Sequence, residues 1–153
     1  MTESAMSTVC LPLYVRFADV DMMRIVHHTA YLHWFEQLRF HFLDSALGLD
    51  YEALSREGLR FPLVGCAVEF LKPVVFGARP VGRVRLEYGK TSLFVFHYEV
   101  RDADDDVLYA RATTTHCCVD HELKLRVSVP PILQEAVLRA RLSEGAPRFP
   151  RQR

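Results

Sequence analysis

Apolar side chains in the first third of the chain change from strand-like to helical spacing. Residues 11–17 are rich in Val, Tyr, Leu and Phe and predict a first β-strand. From about Thr29 the apolar positions recur at i, i+3, i+4, i+7 and i+11, which is one helical face: Tyr31, Trp34, Phe35, Leu38 and Phe42. Further apolar residues widen that face, so we expect a long helix that is buried on most sides and ends at Gly48.

The rest of the chain is dominated by strand patterns. A short helix is expected at residues 50–57, between the capping residue Asp50 and Gly58. Strands are then predicted at residues 63–71, 81–88, 93–100 and 107–119, with a tight turn at 89–90 and an acidic turn at 102–106. A proline pair at residues 130–131 opens a C-terminal helix that runs to about residue 142.

This order of elements predicts an α+β fold with one sheet and one long buried helix. Consecutive strands joined by short turns favour an antiparallel meander. To bury a helix that is apolar around most of its girth, the sheet has to curl round it. Alternating aromatic residues suit a strand face turned toward that helix: Phe94, Phe96 and Tyr98. The C-terminal helix is expected to cover the sheet.

Length and charge then limit the classes of protein. The chain has 153 residues, which suits a single domain, expected at residues 11–142 between a flexible N-terminus and a disordered tail at 143–153. Its 19 basic and 19 acidic residues balance. A nucleic-acid binder usually has a strong basic excess, so nucleic acid is not an expected partner. A net charge near zero also leaves little repulsion to oppose self-association.

The cysteines and the N-terminus indicate a cytoplasmic protein. The four cysteines form no C-x-x-C motif, and they are Cys10, Cys66, Cys117 and Cys118. Reduced thiols are therefore expected rather than a disulfide framework or a zinc site. The first residues lack a basic region followed by an apolar stretch, so no signal peptide is predicted. No apolar run approaches the ~18 residues of a spanning helix, so membrane insertion is not expected.

Polar residues that could carry chemistry cluster between the first strand and the long helix: Asp19, Asp21, Arg24, His27 and His28. Two carboxylates two residues apart point the same way in an extended segment, and their repulsion raises one pKa. The helix N-terminus that follows offers unpaired N–H groups, which can hold a developing oxyanion. This pattern favours acyl transfer. The alternative is that an aspartate before a helix is a cap or a solvated loop residue.

Other polar residues give weaker indications of chemistry. Adjacent histidines cannot easily aim at one metal ion, and no third ligand stands at a familiar spacing, so no metal is predicted. Glu36 and Arg39 have the spacing of a helix-surface or interface ion pair. Cys66 is interpreted as a buried thiol, because no neighbouring feature lowers its pKa. Arg83 and Arg85 fit a solvated strand face.

Residues 17–36 resemble the signature of hotdog-fold acyl-CoA thioesterases of the 4-hydroxybenzoyl-CoA thioesterase type, including the group named after the Tol-Pal-associated thioesterase. That signature is approximately D-x-D-x-x-G-x-V-x-H-x-x-Y-x-x-(W/F)-(F/L)-E. The chain matches it with Asp19, Asp21, Val26, His28 and Tyr31, followed by Trp34-Phe35-Glu36. The similarity is close over about twenty residues, and the order of elements to about residue 129 agrees more loosely.

The resemblance implies a fold, an activity and an assembly. The fold is an antiparallel sheet wrapped round the long helix, and the activity is hydrolysis of an acyl thioester of coenzyme A or of an acyl carrier protein, without metal or redox cofactor. It implies homodimers joined edge to edge, often paired into tetramers. By resemblance, Asp21 is the catalytic carboxylate, acting as nucleophile or as base for water. The backbone N–H of His28 polarises the carbonyl, and its imidazole is a further candidate for orienting water or the leaving group.

Resemblance also gives candidate substrate contacts and leaves alternatives open. Tyr31 and Trp34 are expected to face the helix–sheet core or the acyl pocket. Arg24 replaces the family's glycine; it could pair with Asp21, bind an anionic part of the substrate or occlude the pocket. Ala30 replaces a more usual Asn or Ser. A non-catalytic hotdog protein that binds acyl-CoA or acyl carrier protein is the alternative function, and the sequence does not specify the acyl group.

Overall fold

The long helix forms as the apolar pattern predicts. In the computed structural model, which describes residues 4–89 and 91–144, helix α1 spans His28–Leu47. Gly48 ends it in the left-handed conformation with φ of 65°, and its N–H donates to the carbonyls of Leu43 and Asp44. Leu38 and Phe42 are fully buried. Leu32 and Phe40 stay 48% and 40% exposed, so the expected burial on most sides is wrong for the outer face of α1 within one chain.

Among the described residues, six antiparallel strands make one sheet, but they do not form a simple meander. They are β1 (Ser4–Ala5), β2 (Val9–Pro12), β3 (Leu63–Phe70), β4 (Pro80–Tyr88), β5 (Leu93–Asp102) and β6 (Leu108–Cys117). The order is β1-β4-β5-β6-β3, with β2 also pairing with β4. Strands β4 to β6 form the predicted meander, whereas β3 pairs with β6 at the far edge. The connection at residues 71–79 is long enough to cross, so the expectation of a short turn there was wrong.

The N-terminal strand lies earlier than the composition suggested. Strands β1 and β2 pair with β4, and Met6 and Leu13 add backbone hydrogen bonds to β4. The strand predicted at residues 11–17 therefore ends at Pro12. From Ser4 onward, β1 and β2 replace the flexible N-terminus that was expected for residues 1–10. Tyr14 and Phe17 made the segment look strand-like, but they are 79% and 85% exposed. The apolar composition of residues 11–17 did not show which side chains pack against the core.

Close packing between α1 and the sheet fixes the distance between them. Alternate residues of β4 and β5 are buried against α1, as the alternation predicted. The rings of Phe35 and Tyr98 lie 4.8 Å apart between their centroids. Gly82 of β4 faces Leu38 so closely that a Cβ built there would lie 2.5 Å from Leu38 Cδ1. Glycine at this position therefore sets the helix–sheet distance.

Two shorter helices complete the fold. Helix α2 spans Tyr51–Arg56, and the Asp50 carboxylate accepts from the Ala53 N–H at 2.7 Å, as the predicted cap requires. Helix α3 spans Pro131–Glu144 and buries one apolar face, so the C-terminal helix is confirmed and extends slightly past residue 142. Residues 145–153 of the predicted tail and Lys90 of the predicted turn lie outside the described residues. No helix in the described ranges is long and apolar enough to cross a membrane.

Candidate active site

A tight turn presents Asp21 beside the start of α1. The Asp21 N–H donates to the Ile25 carbonyl at 2.9 Å, and the Arg24 N–H donates to the Asp21 carbonyl at 3.0 Å. The side chain closes the turn as well, because Asp21 Oδ1 accepts from the Met23 N–H at 2.8 Å. Oδ2 has no hydrogen-bond partner among the described residues. One oxygen of this half-buried carboxylate thus holds the loop, and the other is available to a substrate or a water.

Asp19, the other member of the pair, is tied to Arg16. Its carboxylate accepts from Arg16 Nε at 3.1 Å and from Arg16 Nη2 at 2.8 Å, and also from the Arg16 N–H. Asp19 is 6% exposed. These hydrogen bonds lower the pKa of Asp19 below its ordinary value. The expectation that repulsion between Asp19 and Asp21 raises a pKa is therefore wrong for Asp19, because a guanidinium neutralises that carboxylate.

The first turn of α1 leaves one donor unpaired. His27 caps the helix, with its Nδ1 accepting from the Thr29 N–H at 3.3 Å, and its carbonyl accepts from the Ala30 N–H at 3.0 Å. The His27 N–H donates to the Asp19 carbonyl at 2.7 Å, which joins the loop to the helix. The His28 N–H has no partner within residues 4–89 and 91–144. It points from the positive end of the helix dipole, which favours negative charge.

One cleft lies between the turn that carries Asp21 and the first turn of α1. Its volume is about 380 Å³, and its polar lining includes Asp19, Asp21, His27, Thr29 and His33. An ionised carboxylate and a helix N-terminus at one cleft can activate water and stabilise an oxyanion. His33, which the sequence suggested was a packing or surface residue, is part of this lining. His33 lies on the exposed face of α1, five residues after His28, and spacing alone did not mark it as a site residue.

The other predicted site residues do not line this cleft. The His28 ring stacks on the His27 ring, with centroids 4.1 Å apart. Arg24 lies at the exposed tip of the turn with φ of 64°, a left-handed conformation that favours glycine. Tyr31 and Trp34 are each 3% exposed and pack against one another in the core. Within one chain, both aromatic side chains therefore lie in the core.

A second cavity lies farther along α1 and contains a buried polar cluster. Its volume is about 270 Å³, and its polar lining includes His33, Glu36, Arg39, Cys66, Thr114 and His116. Tyr98 Oη lies 2.9 Å from Thr114 Oγ1, which lies 3.0 Å from His116 Nε2. Burial lowers the pKa of His116 to about 4 and raises the pKa of Tyr98 to about 12. Cys66, expected to be buried, is exposed at this cavity.

Sequence reasoning missed this cluster because its members come from three separate elements. Thr114 and His116 alternate on β6, Tyr98 lies on β5, and Arg39 lies on α1. The sequence signal that could have revealed the cluster was the pair of polar residues, Thr114 and His116, on the core-facing side of β6. Within the described residues, no group of three His, Cys, Asp or Glu side chains could hold a metal ion.

Comparison with known proteins identifies the family. Residues 15–137 match the family model described as the thioesterase-like superfamily. The chain belongs to this superfamily. A Bacillus subtilis (strain 168) protein, provisionally named an acyl-CoA thioesterase, is 32% identical over 108 residues, which cover 71% of this chain and 77% of that protein. The match to the thioesterase-like superfamily therefore covers most of the described domain.

Solved structures from the same superfamily share the fold. A 1,4-dihydroxy-2-naphthoyl-CoA thioesterase from Synechocystis has a TM-score of 0.77 and 25% identity, covering 86% of this chain and 96% of that one. A hypothetical protein from Aquifex aeolicus has a TM-score of 0.76 and 31% identity, covering 84% of this chain and 98% of that one. These similarities confirm the predicted hotdog fold and thioester hydrolysis. The protein is a hotdog-fold thioesterase.

Proposed function

We propose that Asp21 is the catalytic carboxylate and that the His28 N–H stabilises the oxyanion during acyl-CoA hydrolysis. The observation that carries this assignment is the cleft that Asp21 lines together with Thr29 and Ala30 of the first turn of α1. Among the described residues, Asp21 Oδ2 and the His28 N–H at the start of that turn have no hydrogen-bond partner. The resemblance of residues 17–36 to the thioesterase signature supports the same two positions. Asp19 takes no chemical part here, because Arg16 occupies both of its oxygens.

The reaction follows from these two groups. Asp21 Oδ2 removes a proton from water while the water oxygen bonds to the thioester carbonyl carbon. The carbonyl oxygen gains negative charge and is held by the His28 N–H. When the tetrahedral intermediate collapses, the carbon–sulfur bond breaks, and the thiolate leaves and takes up a proton. In the covalent alternative, Asp21 itself attacks the carbonyl carbon and water then hydrolyses the resulting anhydride.

Acyl-CoA is the substrate class that the relatives favour over an acyl carrier protein thioester. Relatives from Picosynechococcus and Synechocystis carry names that give a CoA thioester as substrate. We infer that Arg24 assists binding of such a substrate. Its cation lies three residues from Asp21 on an exposed turn, where a CoA phosphate could reach it. The cytoplasmic location expected from the sequence stays a prediction, which cell fractionation would test.

Strand β3 supports a homodimer joined edge to edge. One edge of β3 pairs with β6, and the other pairs with no strand in the described part of the chain. Apolar side chains along and just beyond β3 are about half exposed: Leu63, Val64, Phe70 and Leu71. An unpaired edge with exposed apolar residues is a template for pairing with another chain. We expect Val64→Lys to shift the protein toward monomer in sedimentation equilibrium, whereas an unchanged association constant would contradict this interface.

A pair of aspartate variants tests the chemical assignment. Asp21→Asn keeps the size of the side chain and removes its charge, so we expect kcat for CoA release to fall by about 10³. Asp44→Asn is the matched control, since Asp44 is an exposed aspartate near the other end of α1. Circular dichroism and sedimentation should show both variants folded. Equal activity in the two variants would contradict the role of Asp21.

A further inference from the structure

Arg39 places a nearly buried cation in the second cavity. Its side chain is 15% exposed, and its guanidinium carbon lies 5.0 Å above the centre of the Phe40 ring. Arg39 forms the predicted ion pair with Glu36, whose Oε1 lies 3.6 Å from Arg39 Nη2. That distance is too long for a hydrogen bond. Glu36 is 55% exposed and can turn toward solvent.

The hydrogen bonds around His116 show why this cation lacks a firm acceptor. His116 Nδ1 lies 3.1 Å from the Phe61 carbonyl and 3.3 Å from Arg39 Nη1. A carbonyl only accepts and a guanidinium only donates, so Nδ1 can satisfy just one of them. If Nδ1–H donates to Phe61, Nε2 accepts from the Thr114 hydroxyl, which in turn accepts from Tyr98. This tautomer satisfies the cluster and leaves Arg39 Nη1 without an acceptor among the described residues.

His33 lines both the cavity around Arg39 and the catalytic cleft, so the two lie next to one another along α1. Arg39 follows His28 by eleven residues on α1, a rise of about 16 Å along the helix axis at 1.5 Å per residue. Side chains lean toward the helix N-terminus, so the guanidinium shortens this gap by several ångströms. An acyl group of medium length, with its carbonyl at the His28 N–H, can therefore extend along α1 to Arg39.

We propose that the cavity between α1 and β3 holds the far end of the acyl group and that Arg39 there binds a carboxylate on that end. A guanidinium fork pairs two N–H groups with the two oxygens of a carboxylate, and such pairs are strong when water is excluded. Burial lowers the pKa of His116 to about 4, so His116 is neutral at pH 7 and the charge offered to the carboxylate comes from Arg39. The preferred substrate is then a dicarboxylic acyl thioester. This inference rests on the proposed function, because it places the acyl carbonyl at His28.

The test compares acyl thioesters of equal chain length. Suberoyl-CoA and octanoyl-CoA have eight-carbon acyl groups, and only the first ends in a carboxylate. We expect wild type to prefer suberoyl-CoA by at least tenfold in kcat/KM, and Arg39→Met to remove that preference. Arg39→Lys should keep part of it. Arg60→Met, which changes an exposed arginine outside both cavities, should keep all of it. Thermal unfolding establishes that each variant is folded.

Several outcomes would overturn the inference while leaving the proposed function intact. They are hydrolysis with no preference for suberoyl-CoA, the same preference in Arg39→Met as in wild type, or equal rates for 8-hydroxyoctanoyl-CoA and suberoyl-CoA. Calorimetric titration with free suberate and octanoate separates the two proposals, since it needs no catalysis. Suberate binding that Arg39→Met abolishes supports the inference even if Asp21 is misassigned. Equal binding of the two acids to wild type overturns it.

Discussion

Replacing Gly82 with alanine is expected to destabilise the protein by forcing α1 away from the sheet. A Cβ at Gly82 would lie 2.5 Å from Leu38 Cδ1, 2.8 Å from Cδ2 and 3.0 Å from Cγ. Carbon atoms in contact are normally ~3.5–4.0 Å apart, so the overlap is about 1 Å. Leu38 is fully buried within the core cluster. Either the helix or the Leu38 rotamer must shift.

The magnitude follows from the cost of overpacking. Inserting a methyl group into a filled core typically costs ~1–3 kcal/mol. Alanine restricts the unfolded chain more than glycine does, which offsets ~0.5–1 kcal/mol. We therefore expect a net loss of about 1–2 kcal/mol in the free energy of unfolding. For a domain of this size, that lowers Tm by about 2–8 °C.

A double-mutant cycle with Leu38→Ala gives the sharpest assay. Leu38→Ala alone should cost ~2–5 kcal/mol by leaving a cavity. In the Gly82→Ala background the new methyl group occupies part of that cavity, so the double variant should be at least ~1 kcal/mol more stable than additivity predicts. Urea unfolding followed by circular dichroism measures all four proteins. A coupling energy of zero, or a neutral Gly82→Ala, would refute the close approach of α1 and β4.

Three further predictions concern the loop, the buried histidine and the turn. Asp19→Asn should lower the free energy of unfolding in urea by about 2 kcal/mol, since it weakens charge-assisted hydrogen bonds to Arg16. Arg16 lowers the pKa of the Asp19 carboxyl, so this stabilisation is present above pH ~4 and is lost as pH falls through the folded pKa. Burial of His116 lowers its pKa from 6.5 to about 4, so the unfolded chain binds the proton more tightly than the folded protein does. The free energy of unfolding should therefore fall by up to about 3 kcal/mol between pH 6.5 and 4. His116→Gln should flatten that part of the curve of unfolding free energy against pH. Arg24→Gly should raise Tm relative to Arg24→Ala, because alanine keeps the strain at φ of 64° while both variants lose the charge; equal Tm values would contradict this.

The sequence predicted the elements whose signals are local. The bounds of α1 were readable because its apolar period is continuous along the chain and Gly48 follows directly after it. The position of β3 was not readable, since its partner β6 lies about forty residues away along the chain. Strand patterns indicate that a segment pairs, but they do not say with which neighbour. The pattern indicated a sheet curled round the long helix, and the resemblance identified that arrangement as a hotdog fold.

The sequence predicted where the candidate site lies better than it predicted the charge interactions within it. The spacing of Asp19 and Asp21 suggested a repelling pair, yet a short helical turn at Phe17–Asp19 brings Arg16 onto Asp19. That contact depends on backbone dihedrals that composition does not reveal. The cluster around His116 was missed for a related reason, because strands and helix bring its residues together from separate parts of the chain. Asp21 and the start of α1 came out as neighbours because they are close in sequence.

The most direct test of the account is release of free thiol from a panel of acyl-CoAs, measured for wild type and Asp21→Asn together. The panel should include short, medium, long, aryl and dicarboxylic acyl groups, and calorimetry should measure binding of the preferred substrate to the variant. We predict saturable release by wild type, a loss of about 10³ in Asp21→Asn, and retained binding. Full activity in Asp21→Asn would contradict the assigned chemistry. Binding of acyl-CoA without release by wild type would instead indicate a non-catalytic acyl-CoA binder.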